Sequence, residues 1–119
     1  ELDRARRESP DLSGWFDFAG ARFELLDGDT DILPGLSVIA TPGHTAGHQC
    51  VVVRAGDGPP DLLIGDAAYT PREYTGPTGQ KLPPGQAADR PSWDASIKRV
   101  RSITPARVHF CHHTDIVHD

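Results

Sequence analysis

The nine residues ATPGHTAGH, at positions 40–48, decide how the fold of this chain is interpreted. The apolar run Leu36–Ala40 leads into them and is typical of a buried strand. A Pro-Gly pair then indicates a tight turn, and His44 follows at once. A second apolar run at 50–53 predicts another strand, so His44 is expected on a loop held between two strands. An imidazole in such a position can offer one ring nitrogen to a metal ion while a hydrogen bond orients the other nitrogen.

Two later segments add side chains of the same chemical kind. The segment LLIGD, at 62–66, predicts a strand that ends in the carboxylate of Asp66. The segment VHFCHH, at 108–113, predicts a strand that ends in histidines, and His112 lies two positions after its last aromatic residue. Neutral imidazoles and a carboxylate suit zinc and similar divalent ions. We therefore expect His44, Asp66 and His112 to meet around a metal site at one edge of a sheet.

Together, the segments TPGHTAGH, LLIGDAAYT and FCHH resemble the second half of the metallo-β-lactamase superfamily, and within it the N-acyl-homoserine lactonases. The resemblance extends from about Glu24 to the C-terminus. It implies an α/β fold of the αββα sandwich type. This chain would supply roughly the C-terminal half of that sandwich, a mostly antiparallel sheet with one late amphipathic helix.

The resemblance also implies roles for individual residues. His44 would bind a first metal ion, His112 a second, and Asp66 would bridge them, which corresponds to two Zn²⁺ ions per intact domain. Asp66 and Tyr69 would be the catalytic residues, with the Tyr69 phenol donating a hydrogen bond to the substrate carbonyl or developing oxyanion. From spacing alone, a tyrosine packed behind a strand is an equally good interpretation of Tyr69.

One feature of the family is missing from this sequence. The superfamily's other metal ligands lie in an upstream HxHxDH motif, but no histidine precedes His44. Three ligands divided between two ions are too few for a firm site. We therefore interpret residues 1–119 as a partial metallo-β-lactamase-like domain, lacking the half that bears HxHxDH and inactive by itself. The alternatives are a degenerate relative that binds no metal and a non-catalytic module that packs against a partner.

The remaining histidines have separate interpretations. His48 is expected to form structural hydrogen bonds rather than to bind metal. His113 stands where the lactonases often carry Asp, which leaves open whether His112 or His113 is the ligand; His112 is favoured. His118 lies near the C-terminus and is expected to be exposed.

The rest of the chain predicts a small α/β layout. Residues 22–26 are expected to form a strand that leads into a hairpin turn at 27–29. Residues 70–90 have no periodicity and contain several Gly and Pro, which predicts a long loop. Asp89 or Ser92 would cap the amphipathic helix that follows.

Composition narrows the classes of partner. A chain of 119 residues suffices for one small domain, and a net charge of −5 argues against nucleic acid or an anionic membrane as a main partner. No apolar run is long enough to span a bilayer, and no signal-peptide pattern is present. Cys50 and Cys111 are too few for a disulfide framework, which favours two free thiols in a reduced, cytoplasmic setting, with a single bridge as the alternative. Nothing in the sequence indicates an oligomeric state.

These features predict a metal-dependent hydrolase that, at full length, opens the lactone ring of N-acyl-homoserine lactones and so acts in quorum quenching. Its substrate would be a lactone or another ester-like small molecule. The alternatives within the superfamily are a glyoxalase II-like thioesterase and other hydrolases of the same fold. Apolar loops near the metals often hold the acyl chain in this family, which makes Phe16 and Phe18 candidates for that contact. Core packing is nevertheless the favoured interpretation of these aromatic residues.

Overall fold

The computed structural model describes residues 1–114 and 116–118. Its elements follow one another in this order: α1 (Leu2–Glu8), a 3₁₀ helix (Pro10–Trp15), β1 (Thr30–Leu33), β2 (Leu36–Ala40), β3 (Gln49–Val53), β4 (Asp61–Gly65), α2 (Pro71–Thr75), α3 (Arg90–Ser102), β5 (Arg107–Phe110) and β6 (Ile116–His118). The six strands form one sheet in chain order. Strands β4 and β5 pair in parallel, and the other neighbours pair antiparallel. Over the range described, no helix combines the length and apolarity needed to cross a membrane.

Three strands end at the same edge of the sheet. Strand β3 is antiparallel to both β2 and β4, and β5 is parallel to β4, so β2, β4 and β5 all run in one direction. A parallel pair needs a long crossover connection, and here α2 and α3 lie in the connection between β4 and β5. The chain leaves the three strands at Thr41, Asp66 and Cys111. The topology therefore brings together three segments that are far apart along the sequence.

Helix α3 covers one face of the sheet. Its N-cap is Asp89, whose side chain accepts a hydrogen bond from the Ser92 N–H. The predicted amphipathic helix and its cap are thereby confirmed. The core combines apolar side chains of α3 with those at alternating strand positions: Trp93, Ile97, Val100, Ile39, Cys50, Val52, Leu62, Ile64 and Val108. This alternation is what strands with one covered face require.

The opposite face of the sheet carries apolar side chains that remain accessible. Leu63 on β4 and Ile116 on β6 lie in register on either side of His109. They are 43% and 42% exposed. In an αββα sandwich a second sheet packs on this face. The described residues contain a single sheet, with α3 packed on its other face.

Two predictions about the segment before β2 are wrong. Residues 22–26 do not form a strand, because none of the described strands pairs with them, and Leu25 is left 78% exposed. The hairpin turn predicted at 27–29 is also misplaced. The chain instead turns at 34–35, between the paired strands β1 and β2.

Three further expectations concern other parts of the chain. The aromatic cluster at 15–18 does not pack in the core, since Trp15 is 85% and Phe18 58% exposed. The loop predicted at 70–90 contains the short helix α2, and strand β6 has no counterpart among the predictions. The side chain of His118 lies outside the described residues, so its expected exposure stays a prediction.

Candidate metal centre

The position of His44 is fixed by helix α3. Gly43, directly before it, has φ 141°, and a Cβ atom there would lie 2.4 Å from the Trp93 Cα. Only glycine therefore allows this loop to lie so close to the helix. The Asp89 N–H, at the N-cap of α3, donates a hydrogen bond of 3.0 Å to the Gly43 carbonyl. A rigid helix end thus supports the loop that carries His44.

The hydrogen bond of the His44 ring determines which nitrogen can bind a metal. Nδ1 lies 3.0 Å from the backbone carbonyl of Gln86. A carbonyl can only accept, so Nδ1 carries the proton and Nε2 of the neutral ring has a lone pair. Nε2 faces Oδ2 of Asp66 at 3.5 Å. Nε2, the nitrogen left available to a proton or a metal ion, therefore points at the Asp66 carboxylate.

Asp66 lies between two imidazoles. Its Oδ2 faces His44, and its Oδ1 lies 2.9 Å from Nε2 of His112. One carboxylate oxygen for each imidazole is the arrangement expected of a carboxylate that bridges two ions. The structure thus brings together the three predicted ligands, and the contact with Asp66 is made by His112 rather than by the neighbouring His113.

The side chains of His44, Asp66 and His112 are of types that bind zinc, but they are too few to complete a zinc site. Within residues 1–114 and 116–118, no group of three or more His, Cys, Asp or Glu side chains is arranged to hold a metal ion. An ion on either side of Asp66 would have one carboxylate oxygen and one imidazole from this chain. Structural and catalytic zinc sites in proteins use three or four protein ligands. The residues therefore suit zinc by type, and an ion held here would need further donors.

Tyr69 lies against both imidazoles. Its ring centroid is 4.3 Å from that of His112 and 5.8 Å from that of His44. The Tyr69 N–H donates a hydrogen bond of 2.6 Å to the Glu73 carboxylate. Burial raises the pKa of the Tyr69 phenol, and the negative charges of Asp66 and Glu73 raise it further. The phenol therefore keeps its proton at neutral pH and can act as a hydrogen-bond donor beside the predicted ligands.

Gln86 belongs to the site although the sequence does not single it out. It is fully buried, and its Nε2 donates hydrogen bonds to the carbonyls of Asp66 (2.8 Å) and Ala67 (3.3 Å). Its own backbone carbonyl accepts the proton of His44. One residue therefore holds both the segment that carries His44 and the segment that carries Asp66. It lies in the stretch 70–90, where neither periodicity nor a motif distinguishes a buried glutamine from a loop residue.

His48 forms hydrogen bonds with the protein through both ring nitrogens. The Asp66 N–H donates to Nε2 at 3.0 Å, and Nδ1 lies 2.8 Å from the Thr41 hydroxyl. Gly65, with φ 57°, permits this approach, because a Cβ atom there would lie 3.0 Å from Nε2. Burial lowers the pKa of His48 in spite of the nearby Asp66 charge, which keeps the ring neutral. These contacts agree with the structural role predicted for His48.

The two cysteines are both free thiols, as predicted. Cys50 is completely buried, and burial raises the pKa of its thiol to about 11. Cys111 is exposed, one position before His112. Cys50 is therefore chemically inert in the folded protein, whereas Cys111 is accessible.

Comparison with known proteins relates this arrangement to one family. A family model for the metallo-beta-lactamase superfamily matches residues 4–112. An N-acyl homoserine lactonase from a Bacillus species is 31% identical over 81 residues, which are 68% of this chain and 30% of the relative. The N-acyl homoserine lactonase AttM of Rhizobium radiobacter is 33% identical over 93 residues, which are 73% of this chain and 34% of the relative.

A solved structure with the same fold contains a bound reaction product. It is an N-acyl homoserine lactone hydrolase with N-hexanoyl-L-homoserine at its catalytic metal center, and it matches with a TM-score of 0.62 and 26% identity. The match covers 78% of this chain and 36% of that protein, and it confirms the predicted fold class. The chain spans about a third of the length of the relatives it matches.

Proposed function

The chain belongs to the metallo-beta-lactamase superfamily, and from this premise we propose that the intact protein is a metal-dependent hydrolase that opens the lactone ring of N-acyl-homoserine lactones. Membership in the superfamily implies metal binding. The observation that carries the proposal is the meeting of His44, Asp66, His112 and Tyr69 at one edge of the sheet. Relatives at 31% and 33% identity are named N-acyl homoserine lactonases, which supports the choice of substrate.

We assign His44 and His112 to one ion each and Asp66 to both. Zinc suits this donor set best, and we propose two zinc ions per intact domain. The donors still required would come from an HxHxDH motif in a part of the protein outside residues 1–119. Bound divalent ions would polarise the lactone carbonyl and lower the pKa of a water molecule.

The residues of this chain have distinct tasks in ring opening. The Tyr69 phenol donates a hydrogen bond to the carbonyl oxygen and does so more strongly as negative charge develops on that atom. Gln86 and α3 hold His44 and Asp66 in fixed positions relative to each other, so little reorganisation is needed during the reaction. The direction of the Tyr69 pKa shift supports this role, because a phenol must keep its proton to donate it.

The acyl chain of the substrate needs an apolar surface near this edge. Phe16 lines an open groove together with Gly47 and Gln49, the two neighbours of His48. Phe18 is not part of that lining among the described residues. Of the two aromatic candidates, we therefore propose that Phe16 contacts the acyl chain.

The decisive experiment compares Asp66, the residue after strand β4, with Asp61, the first residue of that strand. Asp66→Asn in the intact protein should reduce zinc affinity and the rate of acyl-homoserine lactone opening by more than about 100-fold, since a direct ligand should matter more than its supporting partners. Asp61→Asn is the matched control, because Asp61 lies at the other end of the same strand, in an ion pair with Arg107. It should keep wild-type zinc affinity and activity.

The outcomes separate the competing functions. Hydrolysis of glutathione thioesters without any lactone opening would replace the lactonase assignment by the glyoxalase II-like one. Absence of both zinc binding and hydrolysis in the intact protein would favour a degenerate relative or a non-catalytic packing module. We also propose a role in quorum quenching, which depends on the lactonase assignment. A cytoplasmic location is a further proposal, supported by the two free thiols.

A further inference from the structure

A series of hydrogen bonds connects the backbone of Asp66 to the core of the sheet. The Asp66 N–H donates to Nε2 of His48 (3.0 Å), and Nδ1 of the same ring lies 2.8 Å from the Thr41 hydroxyl. That hydroxyl donates to the Cys50 sulfur (3.3 Å), and the Cys50 thiol donates to the Ile64 carbonyl (3.2 Å). The series thus returns to strand β4, two residues before Asp66.

The two ends of this hydrogen-bond series determine the direction of every bond in it. A backbone N–H can only donate, so Nε2 of His48 must accept and the proton of the neutral ring must lie on Nδ1. A backbone carbonyl can only accept, so the Cys50 thiol must donate to it, which leaves the sulfur to accept from Thr41. The Thr41 hydroxyl then accepts from Nδ1. Each hydrogen bond of the series therefore has one assigned donor and one assigned acceptor, and each of these polar groups has a partner.

The environment of the series makes its geometry rigid. Thr41 is 1% exposed and Cys50 is fully buried, so water does not compete for their hydrogen bonds. Gln86 holds the carbonyl of Asp66 from its side chain at 2.8 Å. The Asp66 backbone is therefore held at its N–H by His48 and at its carbonyl by Gln86.

We infer that His48 is a positioning residue for the Asp66 carboxylate: Thr41 and Cys50 keep its ring in the Nδ1-protonated form, and the ring fixes the backbone of Asp66, whose side chain would hold the metal. The inference rests on the proposed function, since it takes Asp66 as a metal ligand. His48 acts through Asp66 and does not bind metal itself, because both of its nitrogens are engaged within the protein. The function of the motif's second histidine is thus distinct from that of the first.

Two pairs of variants of the intact protein test this inference. Thr41→Val keeps the shape of the side chain and removes the hydroxyl that accepts from His48, whereas Thr41→Ser keeps the hydroxyl. His48→Leu removes the acceptor for the Asp66 N–H, whereas His48→Gln can supply an amide oxygen to that N–H and an amide N–H to Thr41. Val52→Ala is the control for stability, because it truncates a buried residue of β3 without changing any polar group of the series.

Three measurements are made on each variant: the protonation of the His48 nitrogens by ¹⁵N NMR, the zinc dissociation constant by competition with a chelator, and the midpoint of thermal unfolding. In the wild type, Nδ1 should be protonated and Nε2 unprotonated both before and after zinc is added. Thr41→Val and His48→Leu should raise the zinc dissociation constant about tenfold or more, the range for partners that orient a metal ligand. Thr41→Ser and His48→Gln should restore most of the affinity. Val52→Ala should lower the unfolding midpoint and leave the dissociation constant unchanged.

Several results would overturn the inference. A proton on Nε2 of His48, or a zinc-induced change in its ¹⁵N signals typical of direct coordination, would contradict the assigned hydrogen bonds. A Thr41→Val variant that loses stability as Val52→Ala does, but binds zinc like the wild type, would show that the hydrogen bonds of His48 stabilise the core without positioning Asp66 for metal binding. Zinc binding without lactone opening would refute the proposed function alone, whereas failure of the intact wild type to bind zinc would refute both.

Discussion

Replacing Gln86 by methionine tests how strongly one buried amide supports the metal edge. The Gln86 side chain donates to the carbonyls of Asp66 and Ala67, and methionine has nearly the same length but no donor. The Ala67 carbonyl keeps the 2.7 Å hydrogen bond from the Trp93 indole, so the Asp66 carbonyl is the group that loses its partner. Leaving a buried carbonyl unsatisfied costs about 1–3 kcal/mol, and the cost lies toward the lower end at Asp66 because this bond is only partly buried.

Part of this cost is offset within the same side chain. Oε1 of Gln86 is buried and has no hydrogen-bond partner among the described residues, and methionine removes that group as well. We therefore expect the free energy of unfolding to fall by about 1–2 kcal/mol, the lower part of that range. Because Asp66 also loses a hydrogen bond that fixes its backbone, the zinc dissociation constant should rise about tenfold.

Urea unfolding and zinc titration of the intact protein measure the two effects. Gln80→Met is the matched control, because Gln80 donates a single hydrogen bond of 2.9 Å to the carbonyl of Glu73, which is not among the proposed ligands. It should lose some stability and keep wild-type zinc affinity. If Gln86→Met is as stable as the wild type, or if both variants weaken zinc binding equally, the role assigned to the Gln86 amide is refuted.

Three further changes have expected outcomes. Tyr69→Phe should lower kcat for lactone opening about 100-fold with little change in KM, the usual effect of removing one oxyanion donor; an unchanged kcat in steady-state kinetics would favour the packing interpretation. Iodoacetamide should alkylate Cys111 and spare Cys50 in the folded protein, because Cys111 is exposed while burial raises the pKa of Cys50 to about 11; peptide mass spectrometry identifies the modified site, and equal labelling would contradict the expectation. Asp29→Asn should lower the unfolding temperature at neutral pH and have no effect in strong acid. The Arg99 guanidinium lowers the pKa of Asp29, so the carboxylate stabilises the fold above its ordinary pKa and loses that contribution as the pH falls through the native value; a difference in melting temperature that persisted in acid would argue against this ion pair.

The meeting of His44, Asp66 and His112 could be predicted because each of them lies just beyond an apolar run. Strand β2 ends at Ala40 as predicted, and β4 and β5 end at Gly65 and Phe110, just before Asp66 and the histidines, since the residues that interrupt the apolar pattern also turn the chain. Segment 22–26 has a similar apolar content and is not a strand, because a strand needs a neighbour to pair with and the described residues offer none there. A pattern predicts which segments suit a strand; pairing decides which of them become one.

The supports of the ligands could not be predicted for a different reason. Gln86 is 42 positions from His44 and 20 from Asp66, and it reaches both from a stretch with no regular pattern. Local propensity and periodicity describe neighbours within a few residues. Hydrogen bonds that join distant loops follow from the assembled fold, so the residues that orient the ligands are visible only in the structure.

The accessible face of the sheet and the incomplete ligand set have one explanation in common. Leu63 and Ile116 expose apolar surface on the face opposite α3, and the predicted ligands amount to Asp66 with one imidazole on either side of it. A second sheet packed on that face would bury the apolar side chains and, from its own loops at the same edge, could bring the missing donors. If this explanation is correct, the burial of this sheet face and the affinity for zinc must change together. Residues 1–119 alone should bind zinc weakly, and a segment that raises the zinc affinity should also protect the amides of the central strands from hydrogen exchange. A segment that completes the metal site and leaves this face as accessible as before would separate the two properties and refute the common explanation.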